Sequence, residues 1–564
     1  MNKFILTIVL FASTISFAQS LESKIPANAK LVVTIDGSHL LELVPLTEFE
    51  NYSVIKEIIK EIKEDKPHIN GISDLGFDIN SDAYYFYQPT DSIIYHVGLI
   101  KLKNRVDFEK LLDSSAQKKI VRSGNVSHYA EDSDLNIMWN DNILMLSGGM
   151  PSYSYFDENR ERFEAQALNE DEGFYEIKNR VAGSWAANYA KQLFNYNGVS
   201  IASNQGYLKS KDNNASATLW IKSYGELMGG FMSSSLGMLV GSGLNMNYSN
   251  YGIGSVTAHL YFEKETARIT SKMEVNDRWE KALKKMYSSK IDPSFFKYIN
   301  ENEMLGYTSI SIDTEAFLEE YPKLMSEIYG GMLPDYREES ILAAELFTLI
   351  LDEEAIGELI TGDMLFVLND IVDKDVTYTT YEYDDDYNEK EVVKTKKESS
   401  PDFTIIVGSE NEKLLLRLIR LGVKHEAFEH KSSYYKINLP SKTPFDLYAV
   451  IKDEKVFLTT SEKRITNIIN NRTVSQVGNH KKIMKNNTSV IYMDLNKLMD
   501  KIPESELSED EEQFVAYAKD NLRNAYFKTG KMKGKTISSE LILETAKNRK
   551  NSLKVLLDFL EFVD

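Results

Sequence analysis

Cysteine is absent from all 564 residues. That excludes disulfides, thiolate metal sites, a thiol nucleophile and a lipid-bearing cysteine at an export site. Long apolar runs are absent too: beyond the first residues nothing approaches the ~20 unbroken apolar positions that a spanning helix needs. Basic charge is in deficit, with 65 Lys and Arg against 85 Asp and Glu and a formal net charge of −20. A surface of that sign repels nucleic acid and anionic lipid, so a nucleic-acid partner is excluded.

What is present begins at the N-terminus. Met1-Asn2-Lys3, the apolar run Phe4 to Phe11 and the small-residue exit Ser16-Phe17-Ala18 have the order of a secretory signal peptide, with cleavage expected after Ala18. Losing Lys3 with that leader takes the basic count from 65 to 64 and the charge from −20 to −21. Export without disulfides suits a bacterial envelope, periplasmic or extracellular, and a chain lacking cysteine is not a lipoprotein. The length and a 42% apolar composition allow large cores and several domains.

The segment Thr34-Ile35-Asp36-Gly37-Ser38-His39-Leu40-Leu41 recurs in outline three times, at Ile221-Lys222-Ser223 with Leu227-Met228, Ile312-Asp313 with Phe317-Leu318, and Met493-Asp494 with Leu498-Met499. Each reads as strand, N-cap, helix. Asp or Ser accepts hydrogen bonds from the first helical turn, and the apolar pair four and five residues on shares one face. Asp36, Asp313 and Asp494 are therefore expected to be caps. A second helix signal follows each echo, at Phe108–Leu112, Trp279–Leu283, Asn411–Leu415 and Ser552–Leu556, with alternating strands between. Hairpins Leu135–Asn140 with Ile143–Ser147 and Leu447–Lys452 with Lys455–Thr459 align without a gap, turning at Asp141-Asn142 and Asp453-Glu454.

This pattern predicts an α+β chain of tandem duplicated β-α-β-β-α(-β) units of ferredoxin-like topology, with mixed or antiparallel sheets and helices on one face. The boundaries expected are a signal peptide at 1–18 and units at 19–150, 151–298, 299–470 and 471–564, the third equivalent to the first and the fourth to the second. The opening Ile25-Pro26-Ala27-Asn28-Ala29-Lys30-Leu31-Val32-Val33-Thr34-Ile35-Asp36, its helix ending in Leu40-Leu41, and Gly362-Asp363-Met364 before a strand resemble a family of uncharacterised exported proteins of Bacteroidetes-type bacteria, a domain of unknown function. The resemblance runs over most of the mature chain. It implies an envelope location and supplies no catalytic residue.

Motifs for chemistry are sparse. In His425-Glu426-Ala427-Phe428-Glu429-His430 the histidines stand five apart, whereas a zinc helix needs four to aim both imidazoles at one ion. Ser115-Ala116-Gln117-Lys118 and Ser433-Tyr434-Tyr435-Lys436 match Ser-x-x-Lys without its companion motifs. Gly237 to Gly243 lacks the Lys-Ser or Lys-Thr ending of a phosphate loop. Calcium could draw on Asp384, Asp386 and Glu389, but the glycine and the closing glutamate of an EF-type loop are missing, and the flanks read as a long exposed hairpin with a charged tip. Trp139, Trp220 and Trp279 fall within repeated elements and read as core.

One segment breaks the repeat. Between Gly225 and Tyr248 the chain carries Phe231, Met232, Leu236, Met238, Leu239, Leu244 and Met246 among Gly and Ser, whereas its counterpart after Met499 is acidic. These are candidate contacts for a partner, an acyl chain or a membrane face, with a core helix as the alternative. Because the repeated positions are caps, strands and helix faces, the reading is a non-catalytic exported envelope protein with a binding or scaffold role and no cofactor, acting on an unidentified protein or ligand. The alternatives are a hydrolase using carboxylates such as Asp82 and Asp363, and a protein handling lipid or a membrane surface.

Overall fold

The computed structural model describes residues 20–131, 135–228, 252–332, 336–383, 389–440, 443–502, 507–547 and 551–562. The chain divides into two compact units, one of Met1–Ser249 with Gly254–Tyr261, the other of Asn250–Ile253 with Phe262–Asp564.

In the first unit the described strands are β1 (Leu31–Ile35), β2 (Ala83–Pro89), β3 (Ile93–Lys101), β4 (Val121–Ser123), β5 (Val126–Glu131), β6 (Leu135–Trp139), β7 (Ile143–Pro151), β8 (Ala217–Ile221) and β9 (Ile253–Phe262). They pair in the order β9-β8-β1-β2-β3-β7-β6-β5-β4, every pairing antiparallel. Alternation sends Val32, Phe86, Val97, Leu99, Met145 and Trp220 into one core. A second cluster lies under the helix Phe174–Phe194, where Phe156, Phe163, Ile177 and Ala186 pack. Gly149 on β7 permits that approach, because a Cβ there would stand 2.8 Å from the Cβ of Ala186.

The second unit holds β10 (Thr266–Val275), β11 (Gly306–Ser311), β12 (Asp363–Tyr383), β13 (Glu389–Gly408), β14 (Phe428–Lys431), β15 (Tyr434–Ile437), β16 (Leu447–Lys452), β17 (Lys455–Thr459), β18 (Asn487–Asp494), β19 (Leu522–Gly530) and β20 (Thr536–Thr545). Their order is β10-β20-β19-β18-β11-β12-β13-β17-β16-β15-β14, again antiparallel throughout. From β19 to β14 this repeats the first unit's order strand for strand. Tyr307, Leu365, Val367, Ile406, Phe457 and Val490 form its core. Fully burying a side chain such as Phe457 contributes about 1.5–3 kcal/mol.

These sheets correct the expected fold class. A ferredoxin-like unit would insert its third strand between its first and second, leaving those two parallel and unpaired with each other. Here β1 lies between β2 and β8, both antiparallel to it, and β11 lies between β12 and β18. The element order along the chain had suggested self-contained split βαβ units. Instead, strands more than 180 residues apart pair directly and leave fewer open edges.

The local readings fare differently. The tight turn Asp453-Glu454 has positive φ at both residues, 51° and 56°, as a two-residue hairpin of this hand requires. The long hairpin pairs β12 with β13 from Met364↔Val407 out to Tyr383↔Glu389.

The second sheet's other face is open and apolar. Register aligns Ile269, Leu541, Phe527, Ile491, Thr308, Phe366, Ile405 and Leu458 in one row across eight strands. Ile269, Leu541, Phe527 and Ile491 are 42%, 46%, 39% and 43% exposed. Among the described residues no helix is long and apolar enough to cross a membrane.

Candidate functional site

The three acids of the repeated strand-to-helix signal are caps. Asp36 Oδ1 accepts the N–H of His39 at 2.9 Å, Asp313 Oδ1 that of Ala316 at 2.9 Å, and Asp494 Oδ1 that of Lys497 at 3.0 Å. Trp139 and Trp220 are buried, and Trp139 Nε1 donates to Glu109 at 2.8 Å. His425 ends the helix Glu412–Lys424, whereas His430 sits in β14 opposite Tyr435. Glu389 opens β13. Asp384 and Asp386 lie outside the described residues, as do Phe231, Met232, Leu236, Met238, Leu239, Leu244 and Met246. Among the described residues no three His, Asp or Glu side chains converge as a metal site.

What the structure brings together instead is a polar cavity of about 330 Å³ in the second unit, assembled from four parts of the chain. Tyr298, Asn300 and Glu303 come from the segment entering β11. Asn369 comes from β12, and Asp402 and Thr404 from β13. Arg464 and Asn467 stand on the helix Glu462–Ile469, with Arg472 just beyond it.

Asn369 reaches the cavity because β12 bulges there: the ladder with β13 shifts register between Leu368 and Asp370, which leaves Asn369 without a cross-strand partner and re-aims its side chain. It is only 7% exposed. Its Nδ2 donates to Thr404 Oγ1 at 3.2 Å, Thr404 Oγ1 donates to Thr459 Oγ1 at 3.2 Å, and Thr459 Oγ1 donates to the Phe403 carbonyl at 2.8 Å. This chain satisfies buried groups that would be costly if left alone. Nδ2 also donates to the Val367 carbonyl at 3.5 Å, so with both of its hydrogens engaged the amide oxygen is the group left for the cavity.

Beside it Arg464 Nε donates to Asp402 Oδ2 at 3.2 Å, while its Nη1 lies 3.6 Å from Glu303. Thr460 Oγ1 donates to the other Asp402 oxygen at 3.2 Å. Arg472 and Lys463, also lining the cavity, make no ion pair among the described residues. Tyr298 forms a wall, its ring edge-on to Phe457 at 4.7 Å, and burial pushes its hydroxyl pKa up.

The first unit opens a cavity at the equivalent place. Lys30 N–H donates to the carbonyl of Tyr87 at 3.0 Å, and Leu305 N–H to that of Leu368 at 2.9 Å, so Gln88 and Asn369 correspond. Gln88 is 6% exposed and lines a cavity of about 420 Å³ with Asn28, Tyr189, Gln192 and Tyr196. Tyr189 donates to Gln88 Oε1 at 2.6 Å. Each cavity thus has an entering segment, a buried carboxamide and a helix, which in the first unit is Phe174–Phe194, the third after β7, and in the second is Glu462–Ile469, directly after β17. The charged side chains occur only in the second unit.

Asp82 and Asp363, the carboxylates singled out for a hydrolase, lie in separate units, Asp82 just before β2 and Asp363 at the first position of β12. Burial raises the pKa of both. Asp82 accepts from the Tyr84 hydroxyl at 2.9 Å, and Asp363 from the N–H of Asp292 at 2.8 Å. Neither lines the cavity around Asn369. Sequence reasoning passed over Asn369, Gln88, Arg464 and Arg472. An isolated amide in a strand carries no motif, and the register shift was the signal needed.

No family model and no curated protein matches the chain. Among solved structures, crystal forms III and IV of TP0453 give TM-scores of 0.24 at 11% and 10% identity, each match covering 45% of this chain and 79% of that one. Crystal form I gives 0.23 at 10% identity, covering 45% and 78%. Scores this low carry no argument about fold or function.

Proposed function

We propose that this is an exported, non-catalytic binding protein whose ligand site is the polar cavity of the second unit. The observation that carries this reading is the recurrence of the cavity and its buried carboxamide, Gln88 or Asn369, without recurrence of the acid–base residues around it. A duplicated site kept for catalysis would repeat its titratable groups, whereas a site kept for binding repeats its frame and varies its lining. Export is supported by the leader-like order of Met1 to Ala18.

The open apolar row on the second sheet favours lipid handling as a second reading, because contiguous exposed apolar surface marks contact sites. One experiment separates the readings. The mature chain is incubated with a small-molecule extract of bacterial envelope, desalted and analysed by native mass spectrometry. A polar adduct that is released unaltered, and is lost in Asn467→Trp, which fills the cavity from its helix, is the expected result. A lipid adduct that persists in Asn467→Trp would replace the first reading with the second. Chemical conversion of the ligand, or no adduct at all, would refute non-catalytic binding in this cavity.

A further inference from the structure

We infer that the second unit's cavity takes a sugar acid, a polyhydroxylated ligand of mono- or disaccharide size bearing one carboxylate. This deepens the binding reading above and rests on it. The chain's formal charge is −20, yet three cations line this one cavity against two carboxylates. Arg464 is already held by Asp402 and Glu303. Arg472 and Lys463 are exposed and make no ion pair among the described residues, so their charges remain available to an anion in the cavity. The equivalent cavity of the first unit has no charged residue in its lining, so these cations are not required by the frame. An anionic ligand is what they can serve, and charge-assisted bonds to a carboxylate are the strong ones.

The rest of the lining fits hydroxyl groups. Asp402 and Glu303 are acceptors and repel a ligand that is all anion, as a bare phosphate would be. The buried amide oxygen of Asn369 is a fixed acceptor, and Asn300 and Asn467 add carboxamides at the sides. The Tyr298 ring gives a flat apolar wall against which a sugar face can lie. A cavity of about 330 Å³ stands at the small end of ligand sites, which limits the ligand to one or two rings.

The test uses the full mature chain and three probes, galacturonate, galactose and inorganic phosphate, titrated calorimetrically up to about 10 mM. Galacturonate is expected to bind about tenfold or more tightly than galactose, with phosphate weaker still. Arg472→Ala with Lys463→Ala should weaken galacturonate about tenfold and bring it level with galactose, and since both residues are exposed the fold should tolerate the change. Lys390→Ala with Lys397→Ala, which removes two positive charges from the exposed β13 arm, should leave binding unchanged. Equal binding of galactose and galacturonate would overturn the acidic-ligand inference while leaving a polar binding site. Phosphate binding as tight as galacturonate, with the same sensitivity to the double substitution, would overturn the hydroxyl-reading part. No binding of galacturonate would overturn the inference whole, and the adduct experiment above would then decide separately whether the cavity binds anything.

Discussion

At the scale of single residues, the acids that stand out in the sequence hold helices rather than ligands. Asp36 and Asp494 each satisfy an N–H of a first helical turn that has no partner within its own helix. Replacing either by Ala is expected to lower stability by about 0.5–2 kcal/mol, read as a shift in the urea midpoint, while leaving galacturonate affinity unchanged. Lost affinity at unchanged stability would mark the carboxylate as part of a site. These caps were legible because capping is local: the residue, the turn it closes and the apolar pair behind it lie within six positions. Asn369 was illegible for the opposite reason. Its importance comes from a bulge against β13 and a hydroxyl at Thr404, neither visible from its own neighbours.

Elements in the first unit are tied by one carboxylate. Glu109, on the helix Arg105–Leu111, accepts from Arg122 on β4, from Arg105 one turn away and from Trp139 on β6. The Arg122 guanidinium, with these other donors, holds its pKa down at about 2. The folded state therefore binds this proton less readily than the unfolded chain. The stabilisation is complete above the ordinary glutamate pKa of about 4.3 and is lost as pH falls toward about 2. Glu109→Gln should flatten that part of the urea midpoint against pH relative to the parent chain. An unchanged slope between about pH 5 and 2 would show that the three elements are not joined through this charge. The helix Phe108–Leu112 and the strand Leu135–Asn140 were readable from periodicity. Their meeting at Glu109 was not, because Arg122 and Trp139 are 13 and 30 positions away.

For the molecule as a whole, each unit carries its own core cluster, so a defect in one is expected to remain there. Thr404→Val keeps the shape but removes the hydroxyl that accepts from Asn369. It should cost about 1–3 kcal/mol by leaving a buried donor unpaired. Hydrogen exchange should show lost protection in β12, β13 and β17 with the first unit unaffected. Protection lost equally in both units would contradict that partition.

The sequence by itself determined the strands, the caps, the Asp453-Glu454 turn and the long β12–β13 hairpin, because each depends on residues within a few positions of one another. Only tertiary structure decided that β8 returns to pair with β1 and β18 with β11, since backbone N–H and C=O groups are alike on every strand and do not encode a distant partner. The cavity belongs to the second kind. Tyr298, Asn369, Asp402, Arg464 and Arg472 span 174 positions and share no motif, and they converge only once the register of β12 on β13 is fixed and the helix after β17 is laid against them.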